Sequence, residues 1–286
     1  MIDVSIIIRA YNEEKKLKQC LEAVFNQKTS HQFEVIIVDS GSTDKTLEIA
    51  TDFKVKIINL ERADFTYGKA LNLGCQAGLG EYLVFLSAHA LPFNDQWLNN
   101  LLLPFASQKV AGVYSQEIPF PDCNPLAERQ LLAHNKKILT QEAKYSSFSN
   151  AGAGISKKVW EKIKFDEQLI ASEDYDWAKK VKAHGYEIVY EPKAVVYHSH
   201  NENPRQIFNR YFREFCSTLL IDGRMVNFNY LFLGVYYLIM DTVYIFKNHY
   251  NFFWFLKSLF NVLLIFLAAL LSFFKRTIKT YGLSRQ

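Results

Sequence analysis

The feature that most constrains this chain is a series of short, unbroken apolar runs of strand length, each ending in a polar cluster. Val4–Ile8 runs into Arg9-Ala10-Tyr11-Asn12, Phe33–Val38 into "DSGSTDKT", and Glu81–Leu86 into Ser87-Ala88-His89. A strand with one wet face alternates apolar and polar residues. Runs that do not alternate are buried on both faces, as in a parallel sheet covered by helices. Between them the spacing turns helical: Leu17, Leu21, Val24 and Phe25 share one face of Glu13–Asn26. Leu47–Phe53 and Gly68–Leu79 read as further helices, and Val55–Leu60 as another strand. This alternation predicts a doubly wound α/β domain with its ligand crevice at the C-terminal strand ends, where the polar clusters fall.

Beyond Pro92 the pattern is mixed. Trp97–Phe105, Leu126–Leu139 and Asp176–Ala183 read as helices, and "VAGVYSQEIPF" and Glu187–Tyr190 as added strands. "SNAGAGIS" reads as a small-residue loop, either merely flexible or bringing backbone close to a bound sugar. Trp160 and Trp177 read as core in preference to sugar-stacking. From about Asn227 the composition shifts to "YLFLGVYYLIMDTVYIF" and "FFWFLKSLFNVLLIFLAALLSFF", separated by "KNHYN". A spanning helix needs about 20 mostly apolar residues, and these stretches include Asp241 and Lys257. Three readings stay open: a hairpin across a bilayer, helices lying in its interface, or an apolar surface that makes a homo-oligomer. The placement of Tyr, Trp and Lys favours the interface. The expected division is therefore a catalytic domain over 1–222 and a hydrophobic, aromatic, membrane-associated helical extension over 223–286.

A net charge of +4 gives no global field of the kind a nucleic-acid protein carries, so no nucleic-acid partner is expected. The four cysteines are scattered with no CxxC pair, which suits reduced thiols in the cytoplasm. "MIDVSIIIRAYNEE" lacks the basic-then-apolar pattern of a signal peptide and reads as a strand. No GxGxxG or Walker-type loop follows either early strand, which argues against dinucleotides and P-loop chemistry. In "VDSGSTDKT", Asp39 stands just past a buried strand, where its carboxylate can accept from a base N–H or ribose hydroxyls. A plain turn with a helix cap explains that stretch equally well until the neighbouring "IIIRAYNEE" is added.

Six stretches in order, "SIIIRAYNEE", "VDSGSTDKT", "FTYGKALNLGCQAGLGEYLVFLS", "NAGAGISKKVWEKIKFDE", "SEDYDWAKKV" and "YEPKAVVYHSH", span residue 2 to about 200. Together they resemble the family-2 nucleotide-sugar glycosyltransferases of the GT-A fold. "FTYGKALN" and "VYHSHN" resemble the rhamnosyltransferase-like branch, which builds bacterial surface polysaccharides. The resemblance implies a Rossmann-like, mostly parallel sheet flanked by helices, with the C-terminal hydrophobic helices as an addition. It places Ala10, Tyr11 and Glu13 along the nucleotide pocket, Asp39 on the base or ribose, and Lys69 towards the donor phosphates. Lys69 is also readable as a solvated helix lysine.

"FLSAHA" falls where the family carries an Asp-x-Asp metal motif, and here the chain departs, with Ser87 and His89 in place of the two acids. The implied cofactor is a divalent cation, Mn²⁺ or Mg²⁺, bridging the donor's phosphates as the nucleoside diphosphate leaves. His89 and His198 are its implied ligands, with His200 as a further candidate. An imidazole adds no negative charge, so Mg²⁺ affinity should fall relative to Mn²⁺. Metal-independent transfer, with cationic side chains neutralising the diphosphate, is the alternative. In "SEDYDWA" the resemblance makes Asp174 the base that deprotonates the acceptor hydroxyl and Glu173 its neighbour that orients. First-turn acids favoured by the helix dipole are the plainer reading, above all for Asp176.

One base and no matched nucleophile imply a single displacement with inversion. The expected activity is transfer of a hexose or deoxyhexose from a nucleoside-diphosphate sugar to a saccharide, free or lipid-linked, at the cytoplasmic face of the bacterial inner membrane. Two alternatives stand beside it: a polyprenyl-phosphate glycosyltransferase, and a non-catalytic subunit that binds nucleotide-sugar. In "NPRQIFNRYFREF", Arg205, Arg210 and Arg213 lie among aromatics, a mixture suited to anionic lipid headgroups or to an ordinary packed helix.

Overall fold

The apolar runs form strands in the computed structural model, which describes residues 2–138, 147–223 and 229–283. In chain order the elements begin β1 (Val4–Ala10), α1 (Leu17–Phe25), β2 (Phe33–Asp39), α2 (Thr46–Thr51), β3 (Lys56–Asn59) and α3 (Tyr67–Ala77). Next come β4 (Tyr82–Ser87), β5 (Leu91–Pro92), α4 (Trp97–Leu102), β6 (Val110–Ile118) and α5 (Pro125–Ile138). After these lie β7 (Gly152–Ser156), α6 (Lys157–Lys162), α7 (Glu173–Ala183) and β8 (Glu187–Tyr197). The chain closes with α8 (Pro204–Asp222), α9 (Asn229–Lys247) and α10 (Phe253–Leu283). Leu139, at the end of the helix expected from Leu126, and Asn227, where the apolar tail begins, lie outside the described residues.

The chain divides into two compact units. Met1–Phe120, Leu131–Leu169 and Glu173–Ser199 make the first; Pro121–Gln130, Ile170–Ser172 and His200–Gln286 make the second. The first holds an eight-stranded sheet in the order β3-β2-β1-β4-β7-β6-β8-β5. β1 pairs in parallel with β2 and β4, and β2 with β3. β7 is antiparallel to both β4 and β6, and β6 is parallel to β8. Two reversals restore direction, so the C-terminal ends of β1, β2, β4, β6 and β8 all reach one sheet edge.

Both faces of the sheet are covered, as non-alternating strands require. Ile6, Ile8, Val35, Ile37 and Leu86 pack under Leu17, Leu21 and Val24 of α1. On the opposite face Ile7, Ile36, Val38 and Phe85 meet Leu71 and Cys75 of α3 and Trp160 and Trp177. Both tryptophans are core, and each donates its indole N–H, to Asn72 Oδ1 at 3.0 Å and to the Ile163 carbonyl at 2.8 Å.

Two expectations change. "SNAGAGIS" is not a loop beyond Ala151: Gly152–Ser156 is a buried strand in mid-sheet. Glycine and alanine hid it by giving no hydrophobic signal, and at Gly152 space for a larger side chain is tight. A Cβ on Gly152 would meet Ser115 Oγ and Val196 Cγ2 at 3.1 Å. The strand expected over Glu187–Tyr190 continues to Tyr197, because Val195, Val196 and Tyr197 pair with Gln116, Glu117 and Ile118 after a register shift.

In the second unit Asn203 caps α8 reciprocally with Gln206, and Gly223 ends it in the left-handed region at φ 66°. Phe215 of α8 packs on Ile265, Ala268 and Ala269 of α10. A turn over 248–252 joins α9 to α10. Arg129 donates to Asp241, which also accepts from Ser258 Oγ at 2.5 Å; all three side chains are buried.

Candidate active site

The shared sheet edge collects the polar strand ends named above. At the end of β2, Asp39 is buried and its Oδ2 accepts from the backbone N–H groups of Gly41 and Ser42, at 3.0 and 2.9 Å. The turn needs Gly41 at φ 86°, a conformation that a side chain strains. Asp39 Oδ1 is buried with no partner among the described residues. A buried carboxylate oxygen left bare is costly unless something binds there, so it is a ready acceptor. Ala10 is linked to this turn through its carbonyl, which accepts from Ser40 N–H at 3.0 Å. Tyr11 is exposed, with the Arg62 guanidinium 4.0 Å from its ring centroid. Arg62 was given no role from the sequence.

β4 ends at Ser87, and the turn after it presents His89. His89 Nδ1 lies 2.7 Å from Glu13 Oε1, and His198 Nδ1 lies 2.7 Å from Glu117 Oε2. Each carboxylate is placed to accept a hydrogen bond from the Nδ1–H, the tautomer that turns the Nε2 lone pair of each ring towards a ligand. The two Nε2 atoms face each other at 3.3 Å across nearly stacked rings. Two nitrogens bound side by side to one cation at about 2.1 Å are themselves about 3 Å apart, so the donor set fits a divalent metal. Carboxylate-backed imidazoles are the usual form of histidine metal ligands.

The negative charge lost with the two acids thus returns one atom layer out, on Glu13 and Glu117. Burial works to raise the Glu117 carboxyl, but His198, the Ser149 hydroxyl and His134 outweigh it and hold it at about 2. Sequence reading missed Glu117; the signal was an acid inside the last apolar strand turn, "SQEIPF". His200 stands two positions after His198 in the chain and begins the last segment of the second unit.

At the N-terminus of α7, Glu173 and Asp174 follow Ser172, a non-glycine residue at φ 59°. Backbone in that region is a strain that functional sites retain. Glu173 is buried, receives Asn150 Nδ2 at 3.4 Å and lies 3.5 Å from Arg9 Nη1. Arg9 pairs in register with Ser87 and Val38, so the ion pair ties α7 to the same sheet edge. Asp174 accepts from the Tyr175 N–H at 2.8 Å. Burial first, and the Glu173 charge second, push its carboxyl up to about 7. A carboxylate poised near neutrality is what a general base needs. Asp176 instead forms an ion pair with Lys180 at 2.6 Å, the plain helix role. Lys69 stands apart from these pairs, 3.6 Å from Asp64.

Arg9 was also missed, although a cation closing an apolar strand, "IIIRA", is its signature. Its guanidinium lies 5.0 Å from the Tyr67 ring centroid. Arg210, a candidate for lipid phosphate, is engaged by Glu202 at 2.8 Å and Glu214 at 3.4 Å, so its charge is answered within its own unit.

A parallel half-sheet extended by an antiparallel strand, with polar strand ends gathered at one edge, is the architecture of the GT-A fold. The description "Glycosyl transferase family 2" matches residues 5–163, and the chain belongs to that family. It is 33% identical over 221 residues to the O-antigen chain rhamnosyltransferase RfbN of Salmonella typhimurium, covering 73% of this chain and 70% of that one. Among solved structures it resembles a mannosyltransferase from Pyrobaculum calidifontis in complex with GDP-Man and Mn²⁺. That match has a TM-score of 0.58 at 22% identity and covers 76% of this chain and 61% of the other. The glucosyl-3-phosphoglycerate synthase of Mycobacterium tuberculosis, in complex with Mn²⁺, UDP and phosphoglyceric acid, gives 0.60 at 17% identity over 78% and 79%. These likenesses show the fold.

Proposed function

We propose that the enzyme transfers a hexose or deoxyhexose, with inversion, from a nucleoside-diphosphate sugar to a hydroxyl of a lipid-linked saccharide. Similarity to an O-antigen rhamnosyltransferase supports a deoxyhexose donor and bacterial surface polysaccharide as the product. Residues 1–222 form the catalytic part and 223–286 the membrane-directed extension, which supports work at the cytoplasmic face of the inner membrane.

Asp39 Oδ1 takes a ribose hydroxyl or base N–H, beside Ala10 and Tyr11. His89 and His198 would hold a divalent cation through Nε2, with Glu13 and Glu117 fixing the rings; Ser87 ends the strand before His89, and Lys69 would reach towards the donor phosphates. When bound, that cation neutralises charge building on the departing diphosphate. Asp174 removes the acceptor proton as the hydroxyl attacks C1, and Glu173, held by Arg9 and Asn150, keeps Asp174 oriented. One assigned base and no assigned nucleophile support a single displacement.

The observation that carries this reading is the raised Asp174 carboxyl at the same sheet edge as the histidine pair. It also favours a hydroxyl acceptor over a polyprenyl phosphate, which is already ionised and needs no base. The test is transfer from a panel of dTDP-, GDP- and UDP-sugars to saccharide-lipid and to undecaprenyl phosphate, with the product anomer read by NMR. Product only on the phosphate, or retention at the anomeric carbon, would overturn it.

A further inference from the structure

The second unit carries two long helices whose outer faces are left exposed by the described residues. On α10, Leu256, Leu259, Leu263, Phe266 and Leu270 are exposed along one stripe about 21 Å long. On α9, Val235, Ile239, Val243 and Phe246 form a second. The spacings, three or four residues throughout, put each stripe on a single helix face. Apolar patches of this extent mark a partner.

Phe253–Phe273 is long and apolar enough to cross a bilayer, yet its other face argues against crossing. Ile207, Arg210 and Tyr211 of α8 line a cavity of about 40 Å³ with Lys257, Asn261 and Ile265 of α10. One turn further along α8, Phe215 meets Ile265, Ala268 and Ala269. The centre of the apolar stretch, Leu263, is therefore level with the α8 turn that holds Arg210, Arg213 and Glu214. Crossing would carry those charges to the bilayer mid-plane, where each is costly. The Arg210 and Glu214 side chains are 33% and 39% exposed, a geometry suited to water.

We infer that α9 and α10 lie flat in the headgroup–acyl boundary of an anionic bilayer, outer stripes down, and that neither spans it. This rests on the membrane association proposed above and assigns its geometry. An in-plane pair wets the charged α8 side and buries both stripes together. Residues 223–286 hold seven Lys or Arg and a single acid, Asp241, which Arg129 pairs, so this stretch suits anionic headgroups.

The test uses the full chain, with Cys123 and Cys216 replaced by serine, carrying Leu256→Cys, Leu263→Cys or Leu270→Cys spin labels. Vesicles are phosphatidylcholine with phosphatidylglycerol. Flotation shows binding, and relaxation by oxygen against a nickel chelate reports label depth. All three labels are expected at one depth, about 5–10 Å below the headgroups. Shallow ends with Leu263 near the centre of a core about 30 Å thick would overturn the inference and keep membrane binding. A chain that does not float, or that is a stable dimer indifferent to vesicles, would overturn the membrane reading itself. Phe260→Glu with Leu263→Glu, both at exposed positions, should cut flotation at least tenfold with an unchanged circular dichroism spectrum. Undiminished flotation of that variant would overturn the inference as well.

Discussion

Asp174→Asn keeps the side chain's volume and removes its proton acceptor, so activity and stability should move in opposite directions. A positioned base contributes about 10²–10⁴-fold to a rate, and turnover should fall by that amount with donor KM changed only a few-fold. Moving the carboxyl from 3.8 to about 7 makes its ionised form up to about 4 kcal/mol less favourable in the folded chain than in water. Part of that cost is relieved because the residue is only half-buried and accepts the Tyr175 N–H. A realised gain of about 1–2 kcal/mol in the variant is the expectation.

The direction with pH follows from the raised value. Between pH 4 and 7 the folded state keeps a proton that the unfolded state releases, so the wild type loses stability as pH rises through that window. The variant lacks this loss. The stability difference should be near zero below pH 4, grow to pH 7 and stay level above it, as read from urea melts at several pH values. Wild-type turnover should climb about tenfold per pH unit below 7 and then flatten. Turnover within tenfold of wild type, or a stability gain that is the same at every pH, would refute the assignment.

Glu117→Gln leaves His198 in place but weakens the hold on its Nδ1–H; Mn²⁺ affinity, measured calorimetrically with nucleoside diphosphate present, should drop about 10–100-fold. Asp39→Asn retains an acceptor for the Gly41–Ser42 turn and turns the bare oxygen into a donor. Its donor KM should rise about 10–100-fold while kcat changes little, as steady-state kinetics would report. Arg129→Met leaves Asp241 buried without its cation and should destabilise the second unit by about 3–5 kcal/mol, visible as an earlier thermal transition. The double change Arg129→Met with Asp241→Leu should recover most of that loss.

Strands buried on both faces announce themselves, so β1, β2 and β4 were plain in "VSIII", "FEVIIV" and "YLVFL". β7 was not: Gly152, Ala153 and Gly154 carry too little side chain to give a hydrophobic signal, and at Gly152 a larger group would crowd Ser115 and Val196. Helix starts were blurred by one to four residues, as with Glu13 against Leu17, where a turn precedes the first helical bond. In the site, Asp39 and Asp174 were visible as acids at strand or helix ends, and family resemblance gave them meaning. His89 and His198, 109 residues apart, were brought together by family resemblance and not by any spacing in the sequence. Their contact follows from two reversals of strand direction that bring β4 and β8 to one edge. Glu117 and Arg9 were hidden for the opposite reason: each sits at the end of an apolar strand and looks like the first residue of a loop.

The claim on which the site depends is that the two histidines replace acids as ligands to one cation. Pulsed electron paramagnetic resonance of Mn²⁺ with nucleoside diphosphate measures it directly. Nitrogen couplings from two imidazoles should appear in the wild type, with one lost in His89→Ala and one in His198→Ala. A Mn²⁺ signal free of nitrogen coupling, or unaltered by either substitution, would contradict it.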